Sequence, residues 1–429
     1  MDLKTLKVLA FCALSPFAIS AQIAENVDTL NVLEQRVTLA EDALFSLKKL
    51  KISGYLQPQF QSAQIDSMGS GPRDMKVGTA KNGSETDTYN RFGNRRGRLK
   101  ATYEDNGNMG VLEFEMTEKS VTLKNGFVQA IDPWIGYVSV KGGVYDRPFG
   151  YEIAYSSSRL ESPERSRITQ TLFPDESDLG AMLILQAPKA SPWYVLKLEA
   201  GLFAGNGISI DTDSKKDFIG HLSYNNATPT MKYGFGLSLY DGSILQPTNK
   251  VYSIANDVFV ENADAANLNG FAKRQYLGVD GQFSISSPLG VSAIRAEYLT
   301  GTQPGSATST SSPTATAVIT ADTYIRNFSG GYVQFVQDIA DTKHSITLKY
   351  DWYDPNTKIT GDKVGLAGSK TGKADMAYQT LGLGYFYRLN QNVKLSAYYD
   401  IITNETTKVK GYFHNVNDNL VTIRMQYKF

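Results

Sequence analysis

Cysteine is nearly missing from this 429-residue chain: there is one, Cys12. That leaves the rest of the chain without disulfides or thiolate metal sites. Histidine is scarce as well. His221, His344 and His414 lie far apart in sequence, which gives a histidine-centred catalytic or metal site little to draw on. An excess of one charge sign is also lacking, with 43 Lys+Arg against 43 Asp+Glu. A nucleic-acid partner would call for a basic face, so that class is disfavoured. Beyond the first twenty residues no stretch reaches the ~18 consecutive apolar residues of a transmembrane helix. What is present is tyrosine, 25 against 20 Phe and 3 Trp, a set suited to boundaries where one edge of a ring is wet.

Residues 1–21 read MDLKTLKVLAFCALSPFAISA. Lys4 and Lys7 precede an apolar core, and small residues follow at Ala18, Ser20 and Ala21. This is the pattern of a secretory signal peptide, cut after Ser20 or Ala21. The alternative is a buried N-terminal helix. Cys12 sits within the apolar core rather than at the cleavage point, so no lipoprotein is read. Without these residues the chain carries 41 Lys+Arg and 42 Asp+Glu.

Residues 22–51 follow a helical period. Ile23, Asn26, Leu30, Leu33, Val37, Ala40, Leu44 and Leu47 alternate at three- and four-residue spacing, a heptad seam. A helix with one narrow stripe wants a partner. The expectation is a coiled coil formed with copies of the same chain; the alternative is a single amphipathic helix.

After Lys51 the period changes to two, and residues 52–429 read as about sixteen short strands. In the last of them Val421, Ile423, Met425, Tyr427 and Phe429 share one face, and Thr422, Arg424, Gln426 and Lys428 the other. The connections alternate in length. The long ones are 63–91, 146–180, 205–216, 242–272, 300–326, 355–375 and 404–415, and 120–122 is the exception, short where a long one is due. One rim of short turns and one of long loops is the asymmetry of a closed antiparallel transmembrane β-barrel. A soluble sandwich would alternate too, but with an apolar inner face and protected edges.

The insert at 146–180 carries most of the chemistry. The stretch 144–180 holds three prolines, four arginines (Arg147, Arg159, Arg165, Arg167) and seven acids, Glu161 and Glu164 among them. An insert this long is usually functional. The expectation is that it folds into the bore and constricts it; a solvated surface loop is the alternative. On the strand 94–104, Arg96, Arg98 and Lys100 share the polar face, which looks into the bore because charge facing lipid is costly. Cations at every second residue, roughly 7 Å apart, would form a ladder for anions. Alternatively Glu113 and Glu115 of the next strand neutralise them. The candidate pore-lining set is therefore Arg96, Arg98, Lys100, Arg147, Arg159, Glu161, Glu164, Arg165 and Arg167. Two further motifs fail: 365–373 (GLAGSKTGK) lacks phosphate-loop spacing, and Lys215 and Lys216 spoil a calcium loop at Asp211 and Asp213.

The chain resembles the phosphate-selective porins O and P, a family of outer-membrane channels. The resemblance rests on the heptad helix leading into Ile52-Ser53-Gly54-Tyr55, then on Arg95-Arg96-Gly97-Arg98-Leu99 and Glu113-Phe114-Glu115. It continues through Leu123-Lys124-Asn125-Gly126-Phe127-Val128, Arg147-Pro148-Phe149-Gly150 and Glu164-Arg165-Ser166. It is dense over 44–180 and thin beyond. It implies a sixteen-stranded homotrimeric barrel in the bacterial outer membrane, with the third loop as constriction and the N-terminal helix in the periplasm. Such a protein does no chemistry and needs neither cofactor nor metal. Its partners are outer-membrane lipid and small hydrophilic solutes or inorganic anions, which diffuse through passively. An anion- or phosphate-selective channel and a plugged adhesion or assembly barrel are the alternatives. Seven acids against four arginines depart from the family pattern and set strict anion selectivity apart from the resemblance.

Overall fold

The computed structural model describes residues 32–39, 48–64, 88–211, 213–313, 320–416 and 418–429. The expected signal peptide, 1–21, and most of the helix expected over 22–51 lie outside the described residues. Residues 32–39 are helical, and Leu33 and Val37 of the expected seam are exposed.

From Leu50 onward the chain is strand and connection. In order come β1 (Leu50–Gln64), β2 (Thr88–Asp105), β3 (Asn108–Met116), β4 (Val121–Ile131), β5 (Val138–Asp146) and β6 (Ser177–Gln186). Then follow β7 (Leu196–Phe203), β8 (Asp217–Ala227), β9 (Met231–Leu245), β10 (Val251–Ala255), β11 (Val258–Asn262) and β12 (Phe271–Ser287). The last six are β13 (Gly290–Gly305), β14 (Thr323–Asp338), β15 (His344–Asp354), β16 (Tyr378–Arg388), β17 (Val393–Asn404) and β18 (Leu420–Lys428). Neighbours pair antiparallel, β9 pairs directly with β12, and β1 pairs with both β2 and β18. The result is a closed ring of sixteen strands, with the hairpin β10–β11 outside it. The seam is sealed by the C-terminal residue: Gly54 N–H donates to the Phe429 carbonyl at 3.1 Å, and Phe429 N–H to the Gly54 carbonyl at 3.0 Å. Closure leaves no sheet edge, the condition for strands to lie in lipid.

The hairpin was not among the expected strands. It lies within the connection expected at 242–272, turning at Asn256 and Asp257, both with positive φ. Asparagine and aspartate tolerate that conformation, which a two-residue hairpin turn requires. β10 also pairs in parallel with the start of β14. Tyr252, Phe259 and Tyr324 pack there, and a second cluster around Ile359, Val364, Met376 and Tyr412 ties together the connections before and after β16 and β17. The long-loop rim is therefore packed.

The period-two pattern sorts side chains as read. Along β18, Val421, Ile423, Met425 and Tyr427 point outward and are exposed, while Thr422, Arg424 and Gln426 point inward and are buried. β12 behaves alike, with Leu277, Val279 and Phe283 outside and Tyr276 and Asp280 inside. Placing a charge on the outer face at mid-strand should cost about 2–4 kcal/mol. Val279→Arg should therefore lower unfolding free energy in lipid vesicles by about that amount, and Ile285→Arg, on the same outer face but toward the short-turn end, by under ~1 kcal/mol; denaturant titration checks both.

Candidate functional site

The insert between β5 and β6 turns into the barrel. It spans 147–176, since residues 177–180 of the expected insert already belong to β6. Its root is set by Arg147-Pro148-Phe149-Gly150. Arg147 donates to Asp178 at 3.0 Å in a fully buried pair, and Phe149 enters an aromatic cluster. Gly150 adopts φ +64°, its N–H donates to Ser238 Oγ at 2.8 Å, and a Cβ there would lie 1.8 Å from a Glu297 carboxylate oxygen. Glycine is required on both counts. Glu297 in turn accepts from the backbone N–H of Tyr151 and Glu152 at 3.2 and 2.9 Å.

From this root the insert crosses the bore, and two kinds of force hold it. Apolar packing acts on one side. Phe149, Ile153, Phe173 and, from the short helix Arg167–Leu172, Ile168 and Leu172 pack on inward side chains such as Tyr145, Phe203, Tyr240, Tyr276 and Phe328. Each buried apolar side chain contributes roughly 1.5–3 kcal/mol, and that part of the bore is filled.

Ion pairs act on the other side. Glu164 accepts two hydrogen bonds from Arg95, both 2.7 Å, one from Arg96 at 3.1 Å and one from Arg424 at 3.2 Å. Arg424 also reaches the Pro163 carbonyl at 2.8 Å. Glu152 meets Lys349 at 2.7 Å, Glu161 meets Arg295 at 2.9 and 3.2 Å, and Glu176 meets Lys124 at 2.6 Å and Arg165. Carbonyls of the crossing segment add to this: Gln426 donates to Ser158 O at 3.0 Å and Lys394 to Leu160 O at 3.2 Å. Burial would raise the Glu164 carboxyl, but Arg95 and Arg96, with Arg424 beyond, outweigh it and hold the group well below the usual carboxylate range. For Glu176 burial is again opposed, here by Arg165, Lys124 and Arg98, and its carboxyl is also held low.

The expected residues fall into distinct places. Arg96 and Arg98 are buried on the inner wall, and Lys100 is half-buried below them without an ion pair among the described residues. Arg98 pairs with Glu115 at 2.7 Å, Glu113 at 3.5 Å and Glu176 at 3.8 Å, so acids from the next strand and from the insert oppose the ladder. Arg165 is spent within the insert, donating to the Glu152 and Tyr155 carbonyls at 2.9 and 3.0 Å as well as to Glu176. Arg167 lies with its guanidinium 4.1 Å from the Tyr378 ring, and its backbone N–H donates to Asp351 Oδ1 at 3.4 Å. Arg147 sits in the root rather than at an open surface, and Arg159 is exposed toward the short-turn rim.

Arg95 was not anticipated as an inner-wall residue, because strict alternation would turn it outward. The register of β1 on β2 slips between Leu56 and Pro58, leaving Arg95 and Arg96 together opposite Gln57. A bulge of this kind re-aims a side chain, and both arginines face Glu164. Arg424 lay on a polar strand face already, so parity carried the signal for it, and Lys349 points inward by the same alternation along β15.

Two open spaces remain beside the Glu164 bridge. One, of about 550 Å³, is lined by Arg95, Arg96, Arg98, Lys124 and Arg165 against Glu115, Glu164, Asp175 and Glu176. The other, about 60 Å³, has three cations and three acids. The three histidines are dispersed: His221 lies 3.2 Å from Asp280 on the inner wall, and His344 Nδ1 lies 2.6 Å from the Tyr385 hydroxyl near the short turns.

No protein-family model matches the chain, and no curated protein matches its sequence. Solved structures do match in shape. Pseudomonas putida OprB aligns with a TM-score of 0.55 at 9% identity, covering 89% of this chain and 94% of that one. An anion-selective porin from Comamonas acidovorans aligns at 0.51 with 11% identity, covering 89% and 99%. The trimer form of Vibrio cholerae OmpT, an outer-membrane protein, aligns at 0.50 with 12% identity, covering 89% and 99%. The fold is that of the outer-membrane porins.

Two outcomes follow. Glu164→Gln removes one negative charge from among three arginines. Denaturant titration in lipid vesicles should show a loss of about 3–5 kcal/mol, the cost of leaving a buried charge cluster without its partner. Gly150→Ala should free the root of the insert at a cost of about 1–3 kcal/mol; limited proteolysis should then cut within 151–166, where the parent protein resists.

Proposed function

We propose that this chain is a passive diffusion channel of the bacterial outer membrane, a porin for small hydrophilic solutes and ions. The observation that carries the reading is a closed barrel with a polar inner wall, crossed by the third loop of its long-loop rim, which leaves an opening of about 550 Å³ lined by charges of both signs. Arg96, Arg98, Glu164 and Arg165 border that opening, and Glu161 and Arg159 border a second cavity at the short-turn end. Lys100 would extend the cationic wall beyond the arginines. The reading asks for no cofactor and no chemistry. The alternation of short turns and long loops supports placing the short turns in the periplasm.

A homotrimer is part of the same reading, supported by the trimer form of a protein of this shape. The 22–51 helix would then pair with its copies in the periplasm, an arrangement favoured by the exposed Leu33 and Val37. Residues 1–21 would direct export and be removed as the chain crosses the inner membrane.

A second reading, an anion- or phosphate-selective channel of the O and P kind, is favoured by the five cations bordering the larger opening. Four acids border it too, so the balance favours weak selectivity. The purified protein in a planar bilayer under a salt gradient decides. Open conductance with a reversal potential near zero is the expected result. A strongly anion-selective potential with phosphate block would favour the second reading. An absence of conductance would overturn the channel reading and favour a plugged adhesion barrel.

A further inference from the structure

The charges bordering the constriction nearly cancel, but those at the short-turn end do not. A cavity of about 290 Å³ opens there between the crossing segment and the turn joining β16 to β17. Its charged lining is Arg159, Arg388, Lys394 and Lys428 against Glu161 alone. Glu161 is already neutralised by Arg295, at 2.9 and 3.2 Å, and Arg388 by Asp338 at 3.1 Å. Arg159 and Lys428 are exposed and have no acidic partner among the described residues. Among the described residues the Lys394 ammonium donates to the carbonyls of Ser158 and Leu160, at 3.5 and 3.2 Å, and has no ion pair; it stands 5.5 Å from the Phe386 ring. Three cations therefore face one concavity uncompensated, where field lines are focused. The same cavity has an apolar wall of Phe386 and Tyr155, the latter stacked on Tyr151 with centroids 5.3 Å apart.

We infer that this mouth is a binding site for small organic carboxylates with an apolar body. The carboxylate faces Arg159, Lys394 and Lys428, and the apolar part lies against Phe386 and Tyr155. Inorganic anions use only the first of these features. A few polar groups beside an aromatic wall is the usual make-up of a small-molecule site. The inference deepens the channel reading, since a site at one mouth would hold such solutes on one side of the constriction.

Calorimetric titration of the detergent-solubilised full-length protein with benzoate, acetate and phosphate tests it without requiring conductance. Benzoate should bind roughly fivefold tighter than acetate or phosphate, the factor associated with aromatic contact. Arg159→Glu/Lys428→Glu, two exposed positions whose side chains make no contact holding the fold, should weaken benzoate by roughly fivefold or more. Phosphate binding equal to benzoate, or benzoate binding unchanged in the double variant, overturns the site. In oriented bilayers, benzoate added at the short-turn side should block chloride current at lower concentration than from the opposite side, and equal block from both sides also overturns it. A chain that binds benzoate yet passes no current keeps the site and refutes the channel.

Discussion

A carboxylate taken out of water is tolerated only where several donors converge on it, and Glu164 has found three guanidiniums. Two come from β2 and one from β18, strands separated on the wall by β1. Removing one side of such a buried cluster costs about 3–5 kcal/mol, because the remaining charge is left without compensation. That cost fixes where the crossing segment can lie. The apolar cluster around Phe149, Phe173 and Tyr276 holds the segment to one wall, and Glu164 stretches it to the other. Without the ion pairs the packed side alone would set its position, and the passage would be a different shape and charge.

The wall makes this possible. A backbone in lipid must meet all its hydrogen-bonding groups within the protein, so the sheet has to close. Sixteen strands enclose more interior than their own side chains fill. The remaining volume is partly filled by thirty residues that in most sheets would be an exterior loop. Their polar groups are bonded to the inner face at Gln57, Ser238, Glu297, Lys349, Lys394 and Arg424, positions spread round the ring. Charge of both signs on the segment answers charge of both signs on the wall. The near-neutral composition thus reflects pairing across the bore rather than a lack of charge.

Much of this was legible in the residues. Alternation along 421–429 sorted lipid face from bore face, and the succession of short strands, turns and long loops gave the strand count and the crossing segment. Local pattern could not say which acid meets which arginine, since Glu164 and Arg424 are 260 residues apart. Nor could it expose the bulge that brings Arg95 inward, because a bulge is a mismatch between two strands and is invisible in either alone. The hairpin β10–β11 was legible in principle: Asn256-Asp257 between two alternating apolar runs is a hairpin signal, masked by the length of the connection around it. Arg147 shows the opposite limit. Its charge suggested an open surface, while Asp178, thirty-one residues on, draws it into the root.

The most direct test of a crossing segment pinned to the far wall uses the scarcity of cysteine. In Ser158→Cys/Gln426→Cys, with Cys12 replaced by Ala, the two thiols would be the only ones in the chain. Treated in outer-membrane-like vesicles with dibromobimane, which fluoresces on bridging two adjacent thiols, this variant should become fluorescent and each single variant should not. A dark double variant, with both thiols shown to be reactive, would place the segment away from the wall and contradict the account.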